Sequence, residues 1–356
     1  MQNLRETHGI MQTRTDKKFS KAISAVTVLL LIALSLDFLT ASAQEPVELT
    51  VEQRAAQVEL SRQLIARQQA IETIASELGI YDPAMIEAYT DLAALYEEIE
   101  DYSSAIATYT NALQVARISF GLESDEQFHA LESLIDANGK MDAWQEVDDL
   151  QHLRFHINDR LYERLDPRYF NAVDQFGDWR LRVLRENLLD LNSRGLTDVA
   201  TDLSDLYGQV IASIEIKGDA KPENLLQMIY SKSQADMSLA RAVVNTHFSN
   251  FQGTVSPYIT VTRCRNVPNG QGQVVRQCTN VRRANPRYMQ SQQDAKRFAL
   301  IRYTRVVEDS IKKMRGIRDQ SSNLSPEERS RLNTLIAQLE TESVQLMQAV
   351  RGRRLF

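Results

Sequence analysis

IEAYTDLAALYEEIEDYSSAIATYTNAL, residues 86–113, is the stretch on which the fold turns. Tyr89, Leu92, Ala93 and Tyr96 recur at helical spacing. A break follows at Glu100-Asp101, and then Tyr102, Ala105, Ile106, Tyr109, Ala112 and Leu113 form a second stripe. Ala93, Ala105 and Ala112 stand where two antiparallel helices must approach closely, and the larger side chains fill the space around them. The stretch predicts a helix–turn–helix unit.

Moving outward, the unit repeats. Asp82-Pro83 and Asp166-Pro167 lie 84 residues apart with Ser124-Asp125 midway, a period of 42. One period on from Tyr89, Leu92 and Ala93 stand Leu131, Leu134 and Ile135; Tyr102 becomes Trp144 and Ala105 becomes Val147. A second period gives Val173, Phe176 and Gly177, again two apolar residues and a small one. Leu78-Gly79, Phe120-Gly121 and Tyr162-Glu163 precede the three units at the same stride. A fixed period of this size marks a stack of helical hairpins, an architecture that binds macromolecules along an extended surface.

These residues resemble the tetratricopeptide repeat in its longer, 42-residue form, as in kinesin light chains. The first unit matches well. The second departs at Ile135 and Val147, where small residues are usual, and at Asn138, where an aromatic is usual. The third matches in its first helix, and its partner helix is expected over Leu196 to Ile214 with roughly ten extra residues around Asn192 to Gly195. The whole also resembles exported tetratricopeptide-repeat proteins of Gram-negative bacteria. The fold expected is mainly α: repeats over 80–215, an N-terminal capping helix in 44–79 with Leu60, Leu64, Ile71 and Ile74 on its stripe, and a C-terminal helical module over 216–356 carrying a β-hairpin at 258–283.

The resemblance implies a peptide or protein segment held along the first helices. Side chains off the packing stripe there are Glu87, Thr90, Glu97 and Glu98, then His129, Glu132, Asp136 and Lys140, then Asn171, Asp174 and Asp178. That surface is mostly acidic, so electrostatic complementarity favours a basic segment. The alternative is an ordinary solvated surface with no ligand.

Residues 1–43 read as a targeting segment. Arg14, Lys17, Lys18 and Lys21 precede an apolar run from Ala22 to Leu36, and Ala41-Ser42-Ala43 supplies small residues for cleavage before Gln44. Met11 is an alternative start, and an uncleaved inner-membrane anchor is the alternative to a periplasmic or secreted chain. Charge is divided unevenly. Residues 44–259 hold 17 Lys and Arg against 36 Asp and Glu, a balance of −19, whereas residues 260–356 hold 19 against 8, or +11. The basic end suits an anionic envelope component, or this chain's own acidic body in a self-regulated arrangement.

The period changes after the helix expected at Pro222 to Phe248. Two segments rich in Val, Thr, Ile and Tyr flank Asn269-Gly270-Gln271-Gly272, the pattern of a β-hairpin. If Cys264 opposes Cys278, Val261 meets Val281, Val267 meets Val275 and Thr262 meets Asn280. Apolar pattern and cysteines choose the same register, which predicts one disulfide. Two further helices follow, one from Tyr288 with Leu300, Tyr303, Val307, Ile311 and Met314 on a stripe and Lys296 among its basic positions. The other opens with the capping box Ser325-Pro326-Glu327-Glu328 and carries Leu332, Leu335, Leu339, Leu346 and Val350. They fit a helical hairpin or an oligomerising coiled coil, which leaves a homo-oligomer open.

No phosphate-binding Gly-rich loop, Gly-x-Ser-x-Gly or His-Glu-x-x-His run is present. Asp148, His152 and His156 share a helical face but lack a fourth ligand, and read as surface groups rather than a metal site. No catalytic residue, metal or cofactor is expected, and nucleic acid is disfavoured as a partner of an exported chain. The reading is a scaffold or adaptor, with an envelope-acting hydrolase as the alternative from another class.

Overall fold

The computed structural model describes residues 50–217 and 221–352. The targeting segment with its cleavage before Gln44, and the tail from Arg353, lie outside the described residues. The chain divides into two compact units, Met1–Ser61 and Arg62–Phe356. Helix α1 (Val51–Glu77) starts in the first and ends in the second, and none of its residues is fully buried; Leu60, Leu64, Ile71 and Ile74 are half-buried.

The second unit is built from helical pairs. Helices α2 (Ala84–Glu98) and α3 (Tyr102–Phe120) form the first, α4 (Phe128–Lys140) and α5 (Trp144–Leu161) the second, and α6 (Pro167–Glu186) and α7 (Ser193–Lys217) the third. Each helix packs against the next in order, and no strand interrupts the described residues between Ala84 and Lys217. This is the tetratricopeptide-like stacking expected from the period. The stride is written into the caps. The Asp82 carboxylate accepts from the Ala84 N–H at 2.9 Å, Ser124 Oγ from the Glu126 N–H at 3.2 Å, and Asp166 Oδ1 from the Arg168 N–H at 2.8 Å. Ahead of the first two caps, Gly79 (φ +105°) and Gly121 (φ +96°) take backbone angles that a side chain would strain.

Burial follows the same register. Leu131 and Val173 are fully enclosed, as are Ala93, Ala105 and Ala112. Tyr89 is half-buried at the edge of the cluster that contains Leu131, because its pair has no helical pair before it. The third pair shows why the small position matters. A Cβ placed on Gly177 would lie 1.8 Å from the Tyr207 hydroxyl oxygen and 2.5 Å from its ring carbon Cζ. In the second pair Ile135 and Val147 fill the small positions. Their bulk is met by Trp179 and Val183 of α6, which pack on them with Trp144. Asn138, where an aromatic is usual, turns its amide back to the Leu134 carbonyl at 2.7 Å. The extra residues of the third unit lie partly in helix rather than loop: α6 has 20 residues where α2 has 15 and α4 has 13. Asn187 ends it in the left-handed region, and its side chain accepts from the Leu191 N–H at 2.9 Å.

The buried side chains continue past residue 215 without a break. One cluster joins Tyr169 and Val173 of α6, Leu203, Tyr207 and Val210 of α7, and Met228, Ile229 and Met237 of α8 (Leu226–Asn245). It also takes in Val307, Ile311 and Met314 of α9 (Tyr288–Gln320) and Leu332, Ile336 and Leu339 of α10 (Pro326–Gly352). The last two helices form a hairpin within the chain: α10 packs on α9 and α8, burying Leu332 and Leu339 of its stripe and leaving Leu335 and Leu346 half-buried. The capping box forms reciprocally, Ser325 N–H to Glu328 Oε2 at 2.8 Å and Glu328 N–H to Ser325 Oγ at 3.2 Å. Lys296, expected on the basic surface, is instead buried. Its ammonium donates to the Val244 and Thr246 carbonyls at 2.8 and 2.6 Å, neutralising the negative end of α8.

Strands β1 (Tyr258–Pro268) and β2 (Val274–Ala284) pair antiparallel, with Cys264 opposite Cys278, Val261 opposite Val281 and Val267 opposite Val275. The Cys264–Cys278 disulfide is formed. All of β2, and all of β1 except Val261 and Val267, are exposed.

Two outcomes test this packing. Gly177→Ala should cost about 1–3 kcal/mol of unfolding free energy by urea titration, since the ring of a fully buried tyrosine must move; an unchanged midpoint would mean that Tyr207 does not rest on Gly177. Replacing Cys264 and Cys278 by Ser should abolish amide-exchange protection within 258–284, because an isolated two-stranded ribbon is marginal in water. It should leave the exchange of α2 to α8 unchanged.

Candidate functional site

The acidic surface starts from one buried ring. Tyr109 of α3 is 3 % exposed, and its hydroxyl donates to Glu97 Oε2 of α2 at 3.0 Å. Burial pushes the Tyr109 hydroxyl up to about 12; Ser133 opposes the shift, and the charges of Glu97 and Asp136 add to it. Asp136 and Glu132 of α4 also act on Arg154 of α5. Its guanidinium reaches Glu132 at 3.3 Å, and burial lowers its affinity for protons while the two carboxylates raise it. Glu97, Asp136 and Glu132 are thereby brought into one neighbourhood across the first two pairs, through Tyr109 and Arg154.

The remaining expected positions divide by exposure. Glu87, Glu98, His129, Lys140 and Asn171 are exposed, as are Glu132 and Asp136. Among the described residues, Glu87, Glu98 and Asp136 make no ion pair. Thr90, Glu97 and Asp174 depart from the expectation of an outward face, since all three are half-buried. Each sits at the border of its helix's apolar stripe, where the neighbouring helix covers part of the side chain. The Thr90 hydroxyl is enclosed without a hydrogen-bond partner.

Asp174 is the most perturbed of these carboxyls. Its Oδ1 is enclosed and unpartnered, and burial with the nearby Asp178 charge pushes its pKa up to about 6. Asp178 is raised too, by partial burial, with Arg185 pulling the other way. Both charges act on Tyr207, whose hydroxyl burial drives far above the ordinary tyrosine range. Asp174 and Tyr207 are thus enclosed within charge range of each other, while exposed carboxylates stand on α2, on α4 and, at Asp178, on α6.

A second network was not foreseen. Asp148 of α5 is buried and accepts from the Trp179 indole N–H at 2.6 Å and from Arg180 Nη1 at 3.2 Å, both on α6. His152 lies 3.6 Å from the same carboxylate, and its pKa is lowered, chiefly by burial, against the pull of Asp148. Asp148 and His152, of the face they share with His156, thus serve to bind α6 to α5, while His156 is exposed. Among the described residues no group of three His, Cys, Asp or Glu is placed to hold a metal ion. No described helix is long and apolar enough to cross a membrane. The contacts that join α5 to α6 span 28, 31 and 32 residues, and no local pattern announces them.

No protein-family model and no curated protein matches the chain. Among solved structures it is similar to a Podosopora anserina protein of nearly identical TPR-like repeats, described as a kinesin light chain. The identity is 12 % and the TM-score 0.38, over 52 % of this chain and 82 % of that one. A point variant of the same protein gives 13 % and 0.37, over 52 % and 81 %. At these values the likeness carries no weight for function, and the repeat assignment stands on helix pairing and burial alone.

Asp174 predicts a pH effect with a definite sign. Its folded pKa of about 6 exceeds the ordinary 3.8, so folding binds a proton between these values. Stability is fullest below 3.8 and falls as pH rises through about 6. Asp174→Asn should raise the melting temperature at pH 7.5 by roughly 2 °C and lose that advantage near pH 4. Calorimetry across this range checks it, and equal melting temperatures at pH 7.5 would count against the burial of this charge.

Proposed function

We propose that this chain is an exported scaffold that holds a basic segment of a partner protein against the acidic surface of its first two helical pairs. The observation that carries the proposal is a concentration of exposed charge of one sign on stacked helices. Residues 84–161 contain 16 Asp and Glu against 4 Lys and Arg, a balance of −12. Glu87, Glu98, Glu132 and Asp136 are exposed there. Stacked helical hairpins characteristically act as binding surfaces rather than as catalysts. Carboxylates left without partners of their own attract a cationic segment over a Debye length and select against acidic ones.

Export is part of the same reading. Its supports are the basic and apolar pattern of residues 1–43 and the disulfide between Cys264 and Cys278, a bond that persists in oxidising compartments. Cell fractionation with the native N-terminus should place the chain in the periplasm with both cysteines oxidised.

The binding test uses charge reversal at exposed positions that make no ion pair among the described residues. Glu87→Lys, Glu98→Lys and Asp136→Lys together should weaken binding of a labelled lysine- and arginine-rich peptide by about ten-fold or more. The loss should shrink as salt rises. Fluorescence anisotropy reads both, and equal affinity for the variant and the native chain would remove the acidic surface from the account. Glu97 is kept out of the triple variant because it is the Tyr109 partner, and its loss would disturb the core.

A further inference from the structure

The ribbon of β1 and β2 is an unusual object. It extends over eleven residues on each strand, and nearly all of it is exposed. Its charged residues are Arg263, Arg265, Arg276, Arg282 and Arg283, all arginine, and no Asp or Glu occurs between Asp236 and Asp294.

Its two faces differ. On the cysteine face the disulfide closes the centre, Thr262 Oγ1 donates to Asn280 Oδ1 at 2.8 Å, and the Arg282 guanidinium lies 3.9 Å over the Tyr258 ring, with Arg276 exposed beyond them. The opposite face alternates Ile259, Val261, Val267, Val275 and Val281 with Arg263, Arg265 and Arg283, by the observed register. Nothing in the described chain covers it: Ile259, Val275 and Val281 remain 37 %, 42 % and 42 % exposed.

We propose that this valine–arginine face docks in trans, on the acidic α2–α5 surface of a second copy of the chain. The inference rests on the reading of that surface as a binding site, and it names the occupant. Charge decides the match. Three of the ribbon's five arginines stand on the docking face with no compensating acid, and residues 84–161 carry −12. Glu87, Glu98 and Asp136 offer carboxylates without ion pairs. Arginine suits such a surface better than lysine, because its planar fork bonds a carboxylate through two N–H groups at once. Contact within one chain is not made, since the ribbon's own residues stay exposed. The disulfide holds the ribbon in its docking form before contact, which lowers the ordering cost of association.

Sedimentation velocity on the oxidised native chain tests this. At 50 mM salt the chain should associate, and at 500 mM it should dissociate. The ribbon variant Arg263→Glu, Arg265→Glu, Arg283→Glu should stay monomeric at 50 mM, as should the face variant Glu87→Lys, Glu98→Lys, Asp136→Lys. Mixed in equal amounts, the two variants should associate again, because each supplies the sign the other has lost. All six substitutions lie at exposed positions; because Asp136 also acts on the largely buried Arg154, the face variant is compared only after its melting curve matches that of the native chain.

A native chain that is monomeric at 50 mM salt overturns the proposal. So does association that persists in the ribbon variant, or a mixture that fails to associate. Vesicles of anionic phospholipid form the last arm. If the native ribbon binds them with the chain still monomeric, its counterpart is a lipid surface and the trans docking is wrong. The peptide assay separates this failure from that of the acidic surface. A monomeric chain that still binds the basic peptide loses the second copy and keeps the surface; a monomeric chain that binds no peptide loses both.

Discussion

Two helices can stack at a fixed stride only where one of them lets the other's side chain rest on its backbone. In the third pair that contact is Tyr207 on Gly177, with no room for a methyl group between them. Ala93, Ala105 and Ala112, all fully buried, occupy the corresponding close approaches of the first pair. The second pair breaks the rule at Ile135 and Val147, and the consequence is visible one pair later. Trp179, at the register position of Leu95 and Ala137, and Val183, just past it, pack onto the two bulky residues. Trp179 and Arg180 arrive with polar groups that need satisfying, and the buried carboxylate of Asp148 receives both. A departure from the small-residue pattern thus meets a tryptophan whose indole N–H is satisfied by a buried carboxylate, and that carboxylate would be costly at such depth without its partners.

What was legible in the sequence was local or periodic. The caps at Asp82, Ser124 and Asp166 are read over three residues, and the ribbon register needs only the alternation of strands and two cysteines. The core positions Leu131, Val173 and Phe176 follow from adding one number. What was not legible depends on neighbours distant in sequence. Thr90, Glu97 and Asp174 each stand at the border of a stripe, where a modest rotation of the helix separates exposure from partial burial. The helix alone does not fix that angle; the adjacent pair does. Lys296 looked like one basic residue among many, yet its position above the last turn of α8 turns it into a buried cap. The α9–α10 stripe fitted a partner helix in this chain or in another, and the cluster it shares with α7 and α8 lies within this chain.

The division of charge along the chain gains meaning from the division of burial. In the repeat pairs, exposed carboxylates sit on helices whose other faces are packed, so their positions are held by a core. In the ribbon, arginines sit on strands that rest on nothing, held by one covalent bond. A two-stranded ribbon without a packed face lacks the hydrophobic term that ordinarily offsets backbone ordering. The staple supplies roughly 3 kcal/mol in the chain-entropy model for a loop of this length. That is enough to keep the strands paired while leaving both faces accessible.

Stability within one chain does not require such an element. Its valines add nothing to the common core, and its arginines make no ion pair with the acidic helices. Exposed valines on a free sheet edge carry a risk of unspecific pairing, which proteins ordinarily limit by placing charge beside them. Here Arg263, Arg265 and Arg283 stand on the apolar face itself, so strands of like charge are repelled and acidic surfaces are not. The ribbon is thereby selective for an anionic counterpart before any contact forms. Its rigidity means that the ordering cost is met during folding, in an oxidising environment, rather than at the moment of binding. Both properties are those of an element shaped for another surface, and the acidic α2–α5 helices are a surface of matching charge that every copy of the chain brings with it.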